Sequence, residues 1–157
     1  MSSLRVRGCL LLLLALGMLV LGFSSRVRAG DGSDDGKPAA VQILVPDEDR
    51  FIPFAVTVHV GQKVTWTNND ADDHTIVSDN AFNTAGHRGV NVLLKANGGT
   101  FSLRFFHAGV FPYYCRFHSM LDAHNQPKAP GPDGGIQDPN GNYGTPMSGV
   151  VTVVGDD

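Results

Sequence analysis

The chain has 157 residues, with Lys+Arg 12 against Asp+Glu 15 and a formal charge of −3 at pH 7. That length fits one domain with an ordinary core, and an acidic balance weighs against nucleic acid as a partner.

Arg5 and Arg7 precede an apolar run from Cys9 to Phe23, and small residues lead to Val27-Arg28-Ala29. This is the pattern of a secretory signal peptide cleaved after Ala29. The rival reading is a membrane anchor, but Leu10 to Phe23 falls short of the roughly 20 apolar residues that a spanning helix needs. Cleavage would remove Cys9 and four arginines, leaving 8 Lys+Arg against 15 Asp+Glu, a formal charge of −7. The exported chain, periplasmic or extracellular, then keeps a single cysteine, Cys115. An unpaired cysteine in an oxidising compartment calls for chemistry, metal binding or pairing with another chain.

Residues 30–39 are polar and glycine-rich and predict a flexible leader ahead of one domain over residues 40–157. From Val41 the apolar residues recur with the period of strands. Val56, Val58 and Val60 alternate with Thr57 and His59, and beyond Gly61-Gln62 come Val64 and Trp66, which predicts a hairpin with one buried face. Val90 to Lys95 fits either a short helix or a strand. Phe101, Leu103 and Phe105 form the next alternating run, Ala108-Gly109 turns the chain, Phe111 to Cys115 is a strand, and Val150 to Val154 is the last one. Short strands between Gly, Asn and Asp clusters, with no helical stripe, predict an all-β, antiparallel β-sandwich. Residues 119–146 contain Pro127, Pro130, Pro132, Pro139 and Pro146 and predict a long loop.

Cys115 and His118 stand in Cys-x-x-His spacing at a strand end, His74 lies forty-one residues before the cysteine, and methionines follow at 120 and 147. A thiolate and two imidazoles with a weak thioether form a blue-copper site. Each residue also has a plainer role: Cys115 as a buried small hydrophobe, His74 as an exposed side chain in the acidic run Asp70-Ala71-Asp72-Asp73. That run itself reads as a solvated face. His59 and His107 are expected at the surface, and His87 and His124 in loops, where spacing supports no second metal site.

Four stretches together resemble the small cupredoxins, the plastocyanin, amicyanin and pseudoazurin group. They are Phe54 to Asn68, Asp73-His74-Thr75, Gly109 to His118, and Met147-Ser-Gly-Val-Val-Thr-Val, in the family's order. The resemblance implies a Greek-key sandwich binding one type 1 copper near one end through His74, Cys115, His118 and an axial methionine. The chain departs from the family at Leu121, where a methionine usually stands three residues after the second histidine. It has the Met-x-Gly-x-Val ending only at Met147, which becomes the expected axial ligand, with Met120 as the alternative and 119–146 as an insertion inside the ligand loop. It also has Thr75 where an asparagine often follows the first histidine.

The function implied is single-electron transfer by a monomer, not catalysis. Partners would be exported redox proteins such as c-type cytochromes or copper oxidases and reductases, with no nucleic acid and no membrane span after cleavage. A copper chaperone or storage module is the alternative, followed by a small copper enzyme with an open coordination position; zinc also accepts His and Cys donors.

Overall fold

A computed structural model describes residues 39–79 and 83–155, so the expected signal peptide and nearly all of the leader lie outside the described residues. No helix among the described residues is long and apolar enough to cross a membrane.

Eight strands make two facing sheets. They are β1 (Val41–Val45), β2 (Ala55–His59), β3 (Lys63–Asn68), β4 (His74–Ser78), β5 (Val90–Leu94), β6 (Gly99–Arg104), β7 (Gly109–Tyr114) and, at the end of the chain, β12 (Ser148–Val154). One sheet has the order β1-β3-β6 and the other β2-β12-β7-β4-β5. These out-of-sequence neighbours are the crossing connections of a Greek-key sandwich. The alternation expected from sequence is present: Val58, Val64, Trp66, Phe111, Tyr113, Val151 and Val153 are buried between the sheets. Trp66 stacks on Phe101 at 5.8 Å and meets Tyr113 edge-on at 5.4 Å.

Two expectations need correction. The sheets are mixed, not antiparallel throughout: β1 runs parallel to β3, and β2 parallel to β12. The segments around Gly61-Gln62 are also not a hairpin. β2 and β3 belong to different sheets, and the turn at Gly61, with φ +85°, carries the chain from one layer to the other. The two corrections share one cause. Because β2 lies across the core, the chain leaves the first layer after β1 and re-enters it at β3 in the same direction, which makes that pair parallel. Val90–Leu94, open between helix and strand, is the strand β5.

Residues 119–146, expected as a long loop inserted between His118 and Met147, are more ordered than a plain loop. They contain two short ribbons, β8 (Met120–Leu121) with β9 (Pro127–Ala129), and β10 (Ile136–Gln137) with β11 (Tyr143–Thr145). Gly131 lies so close to the Phe117 carbonyl and the Ser119 amide that a Cβ there would overlap backbone.

Candidate metal centre

Three central strands have ends that meet at one end of the five-stranded sheet. His74 opens β4, Cys115 follows β7, and Met147 precedes β12. β7 runs antiparallel to both neighbours: its last residue, Tyr114, is opposite Ser148 at the start of β12 and Val77 near the end of β4. The chain continuing through Cys115 and Arg116 therefore runs back along β4 toward His74, and the Arg116 amide reaches the Thr75 hydroxyl. Residues far apart in sequence are thereby brought together by sheet register. His118 comes from the bend that follows Cys115.

His74 and Cys115 are fully buried and His118 is 4% exposed. The two Nδ1 atoms are 3.1 Å apart, and Cys115 Sγ lies 3.5 Å from His118 Nδ1. All three donor atoms fall within 4.8 Å of one another. Two imidazole nitrogens at that separation match two ligands of one first-row ion with bonds of about 2.0–2.1 Å. A thiolate with two neutral imidazoles is a soft set that suits copper.

Electrostatics prepare the sulfur for this role. Burial opposes ionisation of Cys115, but hydrogen bonds from His118, His74 and the Thr75 amide outweigh it and bring the thiol down to about 6. The Thr75 amide is 3.4 Å from Sγ and its hydroxyl 3.7 Å, while that hydroxyl also accepts from the Arg116 amide at 2.9 Å. Thr75 thus supplies the thiolate with donors in the place where the family often has asparagine. Burial likewise works against protonation of both histidines, yet the neighbouring thiolate raises each of them, helped at His74 by Asp70 and at His118 by Asp49.

Met147 is fully buried, and its backbone ties the ligand segments together. Its amide donates to the His118 carbonyl at 3.0 Å, and its carbonyl accepts from the Cys115 amide at 2.9 Å and from the Ser119 hydroxyl at 2.9 Å. Met120 is 50% exposed on β8. The small residue two places after Met147 has a local reason: a Cβ on Gly149 would overlap the Tyr113 hydroxyl.

The other histidines stand apart from this cluster. His59, His107 and His124 are exposed, and His87 pairs its Nε2 with the Arg104 carbonyl at 3.0 Å.

Two carboxylates escaped the sequence reading. Asp70, expected in a solvated face, is 7% exposed and places Oδ2 3.1 Å from His74 Nε2. Asp49 reaches to 3.4 Å from His118 Nδ1 and 4.0 Å from His74 Nε2, and burial raises its carboxyl above the ordinary value. The signal for Asp70 was its position four residues before a candidate ligand; Asp49 gave none. The insertion adds Asp133, whose amide donates to the Phe117 carbonyl at 3.3 Å. With Asp72, Asp73, Phe117 and His118 it lines a surface cavity of about 310 Å³.

A family model described as copper binding proteins of the plastocyanin/azurin family matches residues 41–124. The match ends inside the insertion, ahead of Met147. Chloroplastic plastocyanin of Tetradesmus obliquus is 34% identical over 116 residues, 66% of this chain and 70% of that protein. Plastocyanin of Sambucus nigra is 32% identical over 87 residues, 50% of this chain and 88% of its own. Among solved structures, a purple cupredoxin from Nitrosopumilus maritimus aligns over 73% of this chain and 99% of its own, at 25% identity and a TM-score of 0.47. Amicyanin from Paracoccus versutus aligns over 74% and 84%, at 18% identity and 0.46. With the Cys-x-x-His pair, the buried imidazole of His74 and more than half its length matched by one family model, the chain belongs to the plastocyanin/azurin family of copper-binding proteins.

Proposed function

We propose that the protein is an exported blue-copper electron carrier whose type 1 copper is held by His74, Cys115, His118 and Met147. The observation that carries this reading is the convergence of two imidazole nitrogens and one thiol within 4.8 Å in a buried pocket, three strand-linked donors without flexible side chains. Bound there, copper supplies a one-electron couple between Cu(II) and Cu(I). The chain contributes rigidity. Strand register fixes His74 and Cys115, the Met147 backbone clamps the segment between Cys115 and His118, and the Thr75 donors stabilise the thiolate. A site held this firmly rearranges little when the charge of its occupant changes, which favours electron transfer over metal exchange.

The burial of His74, Cys115 and His118 speaks against a chaperone or storage module, which must open its ligands to a partner. The same burial, with Gly131 and Asp133 seated against the backbone of Phe117 and Ser119, speaks against a copper enzyme with an open coordination position. The partners that fit are exported redox proteins such as c-type cytochromes or copper oxidases and reductases. Asp72, Asp73 and Asp133 around the edge of His118 match a basic docking face, so electron transfer to such a partner should slow with rising ionic strength.

The visible spectrum of copper-loaded protein tests this function. An intense thiolate-to-copper band that bleaches on reduction and returns on oxidation supports it. A colourless, readily chelated copper form would favour the storage reading. Export is checked separately by sequencing the N-terminus of secreted protein, which should begin at Gly30.

A further inference from the structure

We infer that Asp70 is a positioning residue for the copper centre: its carboxylate orients the His74 imidazole and, by its charge, biases the site toward oxidised copper. This rests on the electron-carrier reading above and adds a control over its reduction potential.

The contact is built from both sides. Asp70 is 7% exposed and His74 is fully buried, so the 3.1 Å pair between Oδ2 and Nε2 is largely shielded from water. The aspartate is itself held in place. Its amide donates to Asn68 Oδ1 at 3.0 Å, its carbonyl accepts from the Asn97 amide at 2.8 Å, and its Oδ1 accepts from the Asp72 amide at 3.3 Å. Asn68 in turn is fully buried and donates to the Asp72 and Leu94 carbonyls at 2.8 and 3.0 Å. One carboxylate oxygen is thus taken up by backbone, and the other is left aimed at the ring.

The chemistry follows from what each group can do. An ionised carboxylate only accepts hydrogen bonds, so Nε2 must carry the proton. Where a metal takes the place of the proton that His74 otherwise shares with Cys115, the neutral ring would present Nδ1, the atom 3.1 Å from His118 Nδ1, as its donor. A carboxylate behind a metal-ligating histidine fixes its tautomer and raises its basicity. A more basic ligand favours the higher charge of Cu(II) and lowers the reduction potential. The nearest other carboxylate to Nε2, Asp49, stands at 4.0 Å, beyond hydrogen-bonding reach.

The test compares Asp70→Asn, Asp70→Glu and Asp72→Asn. Asp72 is an exposed acid two residues away with no side-chain contact to the ring, so its replacement removes the same charge without the hydrogen bond. Losing a partner of this kind typically weakens metal binding about 10- to 100-fold. If the loss falls mainly on Cu(II), a tenfold change in the oxidised-to-reduced affinity ratio raises the potential by about 59 mV. Asp70→Asn should show at least that rise, Asp70→Glu should remain nearer the wild type, and Asp72→Asn should shift much less. Equal shifts in Asp70→Asn and Asp72→Asn, or no rise in Asp70→Asn, would overturn the inference.

A second readout needs neither a variant nor blue copper. In the diamagnetic zinc-loaded wild type, the His74 Nε2 proton should appear in the NMR spectrum as a downfield, slowly exchanging resonance. Fast exchange there would overturn the inference even if Asp70→Asn failed to fold. A copper form without the intense band would sink the electron-carrier reading and leave this proton measurement to decide the Asp70–His74 pair.

Discussion

Replacing Met147 by leucine separates its packing role from its proposed metal role. Met147 is fully buried, and its backbone hydrogen bonds to His118, Cys115 and Ser119 involve main-chain atoms that the substitution keeps. A volume-conserving swap in a core costs less than about 1.5 kcal/mol, whereas Met147→Ala would leave a cavity costing about 2–5 kcal/mol. Met147→Leu protein should therefore fold, load copper and stay coloured. Its reduction potential should rise, because losing an axial electron-pair donor for an apolar side chain penalises the higher charge of Cu(II) more than that of Cu(I). Each tenfold loss in relative Cu(II) affinity appears as about 59 mV. Met120→Leu, at a side chain 50% exposed, should change neither stability nor potential. Urea unfolding of the metal-free proteins gives the packing cost, and voltammetry with the visible spectrum gives the ligand effect. A Met147→Leu potential equal to wild type, with a shift in Met120→Leu, would transfer the axial role to Met120.

Cys115→Ser should abolish the intense band, and a strongly coloured variant would refute the site. Thr75→Val removes the hydroxyl that accepts from the Arg116 amide at 2.9 Å, so urea unfolding should show a loss of about 1–3 kcal/mol from the stranded donor. An unchanged urea midpoint would mean that this amide finds water instead. Gly131→Ala must push backbone off Phe117 and Ser119, and the overpacking should cost about 1–3 kcal/mol in the same assay; no loss would mean the insertion is not seated there. In metal-free protein the thiolate absorbance should rise with a midpoint near 6, where the histidine and Thr75 donors place it, instead of the thiol's ordinary 9.0. A depressed thiol pKa gives stability that is complete above 9.0 and lost as pH falls through 6. The raised histidines act in the opposite sense, losing their contribution as pH rises, so absorbance reads this more cleanly than unfolding does.

The clustered residues of the candidate site were legible because metal chemistry restricts both residue type and local spacing, as in Cys115 and His118. The sandwich was legible because Val56, Val58, Val64 and Trp66 alternate. Alternation reports which face is buried, however, and not which strand lies alongside. β2 and β3 both turn apolar residues to the same core, so they look like a hairpin whether they share a sheet or face each other across it. The partner of β2 is β12, nearly a hundred residues on, and nothing local marks that pairing. Asp70 was misread for a related reason. Three acids in four residues suggest a hydrated loop, and only the folded turn, held by Asn68, brings one of them beneath the imidazole.

The clamp formed by the Met147 backbone has a further consequence for how this molecule can change over time. The insertion leaves the site at His118 and rejoins it at Met147, and those two residues are joined by a 3.0 Å hydrogen bond. Chain inserted between two points so closely fastened exerts little leverage on either. Apart from Ser119, Gly131 and Asp133, which touch the backbone of Phe117, Ser119 and Met147, residues between His118 and Met147 can therefore lengthen, shorten or exchange their surface charges while the spacing of the metal donors stays constant. Recognition of a partner and tuning of the metal become separately variable traits, one written in the loop and the other in the strand ends.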